Sequence, residues 1–325
     1  MIRLLWCLLL LSVLVPPAMA ETSCVAEFDS FLYEFANDPQ VQRQASSGRV
    51  LYSQLQGLQD NVYPLVRAMQ GAQLALPLIA PLTADLKGLE VQRLTDGHVR
   101  VLDKRGGLDR LRGYQFERKA CWALVSVDDW SVDESRLLLT GLPKMNPAEE
   151  VCYRKANIFL ALGGVEKYPP TAEFFEVGMQ FLLCAAASGN PDASLAAASL
   201  GYSGMAPALS AEVTEKLFLA AAQTLPAGAA ALYGFYCSGT DQSYDGPCMD
   251  PERARSWLIK SIDMGNWESL TTLASDWESG RLGGAIDLSR ALACYELARE
   301  KGVVEYVDSV KRLQQAGAQP GGRCY

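Results

Sequence analysis

The chain has 325 residues, 49% of them hydrophobic, with 29 basic and 37 acidic side chains and a net charge of −8. That length accommodates about two domains. The acid excess repels phosphate backbones and anionic lipid surfaces, so no nucleic-acid partner is expected; the single histidine, His98, cannot supply a histidine metal set.

The chain opens Met1-Ile2-Arg3, continues with an apolar run from Leu4 to Val15, and reaches Ala18-Met19-Ala20 before Glu21. One basic residue, a short apolar core and an A-x-A site predict a signal peptide over 1–20, cleaved after Ala20. The run is too short for a bilayer span. The expectation is a periplasmic chain with no membrane anchor. Nine cysteines are present, and Cys7 leaves with the signal. The even remainder (Cys24, Cys121, Cys152, Cys184, Cys237, Cys248, Cys294 and Cys324) reads as disulfides in an exported protein. No C-x-x-C spacing occurs, so no zinc knuckle or thioredoxin-type site is expected, and no metal or cofactor.

Residues 21–142 predict an α+β domain. Phe28, Phe31, Leu32 and Phe35 lie on one face of a helix that Asn37-Asp38-Pro39 closes. A mainly helical or irregular stretch is expected up to Leu82, broken by Pro64, Pro77 and Pro81. Alternation then predicts strands over Leu89–Leu94 and Val99–Leu102, joined by the turn Asp96-Gly97. Gly113–Arg118 and Cys121–Val127 make a second hairpin, closed by Asp128-Asp129-Trp130. Asp128, Asp129, Asp133 and Glu134 could do acid/base work if burial split their pKa values; the plainer reading is a solvated turn. Lys104, Arg105, Arg110, Arg112, Arg118 and Lys119 around Gly106-Gly107 could grip an acidic group; a loop and a solvated strand face is the plainer reading. A helix followed by strands ending in Phe116, Trp122, Leu124, Val125, Val127 and Trp130 resembles exported bacterial domains of the cystatin or nuclear-transport-factor-two-like type. That resemblance implies a fold and no activity.

The stretch Thr140–Pro147, with two prolines and a glycine, predicts the linker to residues 143–325. There the order D-x-x-R-A occurs at Asp250, Arg253 and Ala254 and again at Asp287, Arg290 and Ala291, a period of about 37 residues. Four helix–loop–helix units fit end to end: 147–189, 190–224, 225–265 and 266–302, with a capping helix after them. Gly163/Gly164, Gly204, Gly239 and Gly280 should end first helices, and Asp250-Pro251 and Asp287 should start second ones. Trp257, with counterparts Leu217, Phe181 and Cys294, should plug the gap between helices. Small residues such as Ala193, Ala197, Gly228 and Ser269 let helix axes approach closely. The acid excess sits here, with 21 acidic against 14 basic residues over 146–325. It favours a basic partner, although solubility alone would account for it.

Leu232, Tyr236, Gly239, Asp250, Arg253, Ala254, Trp257, Lys260 and Gly265 in the third unit resemble the Sel-one-like repeat, a relative of the tetratricopeptide repeat. So do Leu273, Trp277, Gly280, Asp287, Arg290, Ala291, Ala298 and Gly302 in the fourth. The resemblance implies an all-α solenoid that binds a protein on its concave face. In that layout Cys152 can meet Cys184, Cys237 can meet Cys248, Cys294 can meet Cys324, and Cys24 can meet Cys121. Candidate partner contacts on first helices are Tyr153, Tyr202, Tyr233, Tyr236, Trp267 and Trp277. Tyr236 and Trp277 also belong to the repeat pattern, where core packing is the plainer role. The inserted loop offers Asp241 and Tyr244. The resemblance to exported Sel-one-like proteins further implies a non-enzymatic immunity protein that occludes a type VI secretion effector, notably a phospholipase. The alternative is a periplasmic scaffold, or a repeat protein that binds a small ligand or β-lactam, or one whose first domain holds a ligand in its sheet concavity.

Overall fold

The computed structural model describes residues 24–57, 62–82, 88–95, 97–107, 110–132, 147–165, 168, 170–241, 243–303 and 306–325. The expected signal peptide, Asp96, Asp133, Glu134, and most of the expected linker with its boundary at 142 lie outside these residues. Two compact units divide the chain: residues up to 53 with 66–106 and 111–129, and residues from 130 onward with 54–65 and 107–110.

The first unit carries helices α1 (Phe28–Asn37) and α2 (Pro39–Ala45) and a six-stranded sheet. Asp38 divides the helices. Its N–H bonds the Glu34 carbonyl at 2.8 Å, and its carboxylate accepts from the Gln40 N–H at 2.7 Å. Pro39 takes the first helical position, where a missing N–H costs nothing. The strands are β1 (Arg49–Gln56), β2 (Tyr63–Gln70), β3 (Leu89–Thr95), β4 (His98–Asp103), β5 (Arg112–Arg118) and β6 (Trp122–Asp129), in the order β2-β1-β6-β5-β4-β3. The pairs β3–β4, β4–β5 and β5–β6 are antiparallel. Phe28, Phe31 and Phe35 of α1 meet Phe116 of β5 edge-on at 5.5, 5.6 and 5.1 Å, and Phe28 also meets Trp122 of β6 at 4.9 Å.

The stretch before Leu82 departs from expectation, since β1 and β2 occupy much of it. Pro64 would break a central strand, but β2 is the sheet edge, where a strand tolerates a residue without an N–H.

The second unit is a run of helices: α3 (Pro147–Gly164), α4 (Thr171–Ala187), α5 (Pro191–Tyr202), α6 (Ala211–Ala221), α7 (Pro226–Ser238), α8 (Pro251–Asp263), α9 (Ser269–Ser279), α10 (Leu288–Glu300) and α11 (Val307–Gln315). Each packs on the next. Cys152 near the start of α3 is bridged to Cys184 near the end of α4, which requires the two to run antiparallel. The other bridges are Cys24–Cys121, Cys237–Cys248 and Cys294–Cys324. Four disulfides are characteristic of an oxidising compartment. No helix among the described residues is long and apolar enough to cross a membrane.

The repeated sequence is repeated geometry. Asp250 caps α8 by accepting from the Arg253 N–H at 3.1 Å, and Asp287 caps α10 by accepting from the Arg290 N–H at 2.9 Å. Each cap residue is itself anchored to the preceding first helix. The Asp250 N–H bonds the Tyr236 carbonyl at 3.0 Å, and the Asp287 N–H bonds the Trp277 carbonyl at 2.9 Å. Second helices end at Gly189, Gly265 and Gly302 with φ of 97°, 97° and 93°. After each, an N–H returns to a carbonyl one turn back, as in Asn266 to Ser261 at 3.0 Å.

Gly164 is the last residue of α3, as expected, and Gly163 serves closeness: a Cβ there would stand 3.1 Å from the Phe175 ring. Trp257 meets the expectation only in part: it packs against the apolar cluster but is half-buried under the Lys260 ammonium at 4.4 Å, while Ala254, Leu258 and Ile262 fill the interior of α8. Those three sit at helical spacing, and Trp257 falls to the side of their stripe.

Glycines in α7 give a paired test. A Cβ on Gly228 would lie 2.6 Å from the Ala222 nitrogen, whereas one on Gly234 meets nothing within 4 Å. Gly228→Ala is expected to lower stability by about 2 kcal/mol through overpacking. Gly234→Ala should raise it by roughly 0.5–1 kcal/mol through helix propensity. Urea denaturation of both variants checks this, and equal effects would refute the close approach of α7 to the end of α6.

Candidate protein interface

The aromatic candidates on α5, α7 and α9 are joined across three successive pairs. The Tyr202 hydroxyl at the end of α5 hydrogen-bonds Ser238 at the end of α7. Arg281, just past the α9 cap residue Gly280, donates Nη2 to the same Ser238 hydroxyl at 3.4 Å and Nε to the Gly246 carbonyl at 3.3 Å. The Arg281 carbonyl accepts from the Cys248 N–H at 2.9 Å. The loop between Cys237 and Cys248 is thus closed by its own disulfide and fastened to the following pair.

Tyr233 of α7 donates its hydroxyl to Asp276 Oδ1 of α9 at 2.9 Å. The two residues are 8% and 3% exposed, so the contact is interior. Asp276 Oδ2 is buried without a hydrogen-bond partner. Burial pushes the Asp276 carboxyl up to about 6, against the opposing pull of the Tyr233 hydroxyl, Arg281 and Arg255. Burial, then the Asp276 charge, pushes the Tyr233 phenol up.

Tyr236 and Trp277 are committed in the same way at equivalent places. Tyr236 donates to Glu215 Oε1 of α6 at 2.6 Å, and the Arg253 guanidinium covers its ring at 4.0 Å. Tyr236's phenol is pushed up to about 12, by burial first and then by Glu215. The Glu215 carboxylate is held below its usual range by the Tyr236 hydroxyl, then by Arg253. Trp277 stands between Arg255 and Arg290, each 4.8 Å from its ring centre, and donates its indole N–H to the Cys324 carbonyl at 3.2 Å.

Tyr233, Tyr236 and Trp277 therefore build the stack, and Tyr233 is the departure, because nothing in the repeat pattern gave it a packing role. Tyr153 and Trp267 are half-buried: Tyr153 packs among α3, α4 and α5, and Trp267 lies under the Lys301 ammonium at 4.7 Å. In the fastened loop Asp241 is exposed and accepts from the Ser243 N–H at 2.9 Å and hydroxyl at 2.6 Å, which holds its carboxylate below the usual range. Tyr244 donates to the Pro247 carbonyl at 2.7 Å.

Sequence reasoning missed two accessible apolar side chains of this unit. Met249 and Ile286 immediately precede the cap residues Asp250 and Asp287, so they are repeat equivalents, and they are 61% and 62% exposed. Met249 stands against Gly239 and Ile286 against Gly280. Their signal was available as an apolar residue directly before each capping aspartate. Asp276, Arg281, Glu215 and Arg255 were also missed; of these only Asp276, a charge on the apolar stripe of α9, stood out locally.

The two described members of the acidic cluster, Asp128 and Asp129, do not come together as a pair. Asp128 and Asp129 lie within β6, not in a solvated turn, and adjacent strand residues point to opposite faces. Asp129 bonds the Tyr52 hydroxyl at 3.3 Å and pairs with Arg112 at 3.2 Å. Burial pushes Asp128 up to about 6. Among the basic residues, Arg105 grips Asp103 at 2.8 Å, Lys104 holds Glu90 at 3.1 Å, and Lys119 holds Glu117 at 3.1 Å. These are internal pairs in place of a cationic grip. No group of three metal-ligating side chains gathers among the described residues.

No protein-family model matches the chain, and no curated protein matches it. Among solved structures it is similar to a Sel1 repeat protein from Oxalobacter formigenes, with 20% identity over 55% of this chain and 68% of that one and a TM-score of 0.39. It is also similar to a protective antigen present in uropathogenic Escherichia coli strains displaying an SLR fold, with 22% identity over 48% of this chain and 32% of that one and a TM-score of 0.38. The match thus spans about a third of the second protein.

The raised Asp276 carboxyl fixes the sign of a pH effect. It titrates near 4 in an unfolded chain and at about 6 when folded, so the folded state holds the proton more tightly. Its stabilising contribution is full below pH 4 and is lost as pH rises through 6. Asp276→Asn should lack that loss and exceed the parent in stability by about 2 kcal/mol at pH 8. Thermal melts from pH 4 to 8 check this; a constant difference between the two proteins would refute it.

Proposed function

We propose that the protein is a periplasmic Sel-one-like scaffold that binds a protein partner, and that this partner is a secreted phospholipase effector which it neutralises. The observation that carries the reading is the pair of equivalent, exposed side chains Met249 and Ile286, the first of them directly after a loop fastened at both ends. Exposed apolar side chains on preorganised backbone are the makings of an interface, because little ordering entropy remains to be lost on binding. Stacked helical pairs supply a rigid platform for them. The leader sequence and the four disulfides support export to an oxidising compartment. The first unit, read as a cystatin or nuclear-transport-factor-two-like domain, adds a second surface.

Neutralisation in this reading is occlusion. The partner's active-site mouth is covered, and no bond is made or broken by this chain. The acid excess of residues 146–325 speeds encounter with a basic rim. The apolar residues then set the lifetime of the complex.

The test uses cells attacked by a phospholipase-delivering neighbour. Cells lacking the protein should die, and cells exporting the intact chain should survive. Met249→Asp with Ile286→Asp should weaken capture of the purified phospholipase by about tenfold while leaving the melting curve in place. Survival without the protein, or capture indifferent to both substitutions, would overturn the corresponding part of the reading.

A further inference from the structure

The first unit holds a cavity of about 480 Å³ that the protein-binding role does not use. It lies between α1, α2 and the start of β6. Phe31, Val41, Ala45 and Trp122 line its apolar part, and the Cys24–Cys121 disulfide forms one side. The volume falls within the usual range for small-molecule sites.

Two polar side chains reach it, Glu34 from α1 and Gln44 from α2, and both are exposed. Glu34 forms no ion pair among the described residues. Apolar walls with one unpaired carboxylate beside them select an amphiphile whose polar end is cationic. The Trp122 ring already carries the Arg118 guanidinium 5.7 Å from its centre. A ligand's cation is therefore directed to Glu34 and away from the indole, leaving the ring edge to the ligand's apolar part.

The disulfide has a definite part in this. It ties the residues before α1 to the start of β6, so the side of the cavity is covalent. The Trp122 indole N–H also donates to the Ala26 carbonyl at 3.3 Å, which fixes the ring between the same two segments. A cavity held in this way is present before any ligand arrives, and binding need not order it.

We propose that this α1–α2 cavity is a binding site for a small amphiphile with an apolar chain and an amine end. The probe is decylammonium, kept below the concentration at which it forms micelles, with decanoate as the charge-reversed control. Calorimetric titration of the full mature chain should give saturable binding of decylammonium and at least threefold weaker binding of decanoate. Glu34→Gln should weaken decylammonium by about threefold, the scale of an exposed ion pair. Ala45→Phe fills the cavity and should abolish binding; Val41→Phe, at a half-buried position, decides the matter if the first variant does not fold. Absence of saturable binding, equal affinity for decanoate, or binding that survives both filling substitutions would overturn the proposal.

Discussion

A lone pair of antiparallel helices has no interior, and the second unit is arranged around that deficit. Its helices from α6 to α10 are only 11–13 residues long, a length at which an isolated helix is marginal in water. They persist because one apolar cluster runs without a break from Ala198 in α5 to Cys324 in the tail. Close approach is what makes this possible. Ala198, Ala229, Ala254, Ala274 and Ala291 are fully buried, and each permits a neighbouring helix axis to come near. Stability is therefore a property of the stack, and any one pair borrows most of it.

The polar residues of the repeat do two jobs at once. Arg253 and Arg290 each offer a backbone N–H to a capping aspartate and a guanidinium to an aromatic ring on the preceding helix. One residue thereby starts a second helix and clamps it to the first. The contact between Tyr233 and Asp276 is of another kind, since it joins the first helices of two different pairs and buries a carboxyl to do so. Burying such a group is unfavourable even with a hydroxyl in place. The contact sets the spacing between α7 and α9 at that cost.

Local patterns were readable where local forces decide the outcome. The phenylalanine face of α1, the alternation of β3 to β6 and the capping aspartates of α8 and α10 follow from neighbours within a few residues. What failed depended on distant partners. Pro64 argued against a strand, and only the position of β2 at the sheet edge makes it harmless. Tyr233 gave no hint of burial because its partner lies 43 residues away. Trp257 carries the repeat pattern's aromatic, yet the stripe of Ala254, Leu258 and Ile262 had the interior already. Among candidate contacts the aromatic residues drew the eye, while Met249 and Ile286, exposed directly before each capping aspartate, were passed over.

The ring closed by Cys237 and Cys248 alters what cleavage can do to this chain. Loop tips are where proteases find extended backbone. Were the peptide bond between Tyr244 and Asp245 cut, the sulfur bridge would still join α7 to α8, and Arg281 would still hold the severed ends through Ser238 and Gly246. A single nick there would yield two polypeptides that travel as one until a reductant separates them.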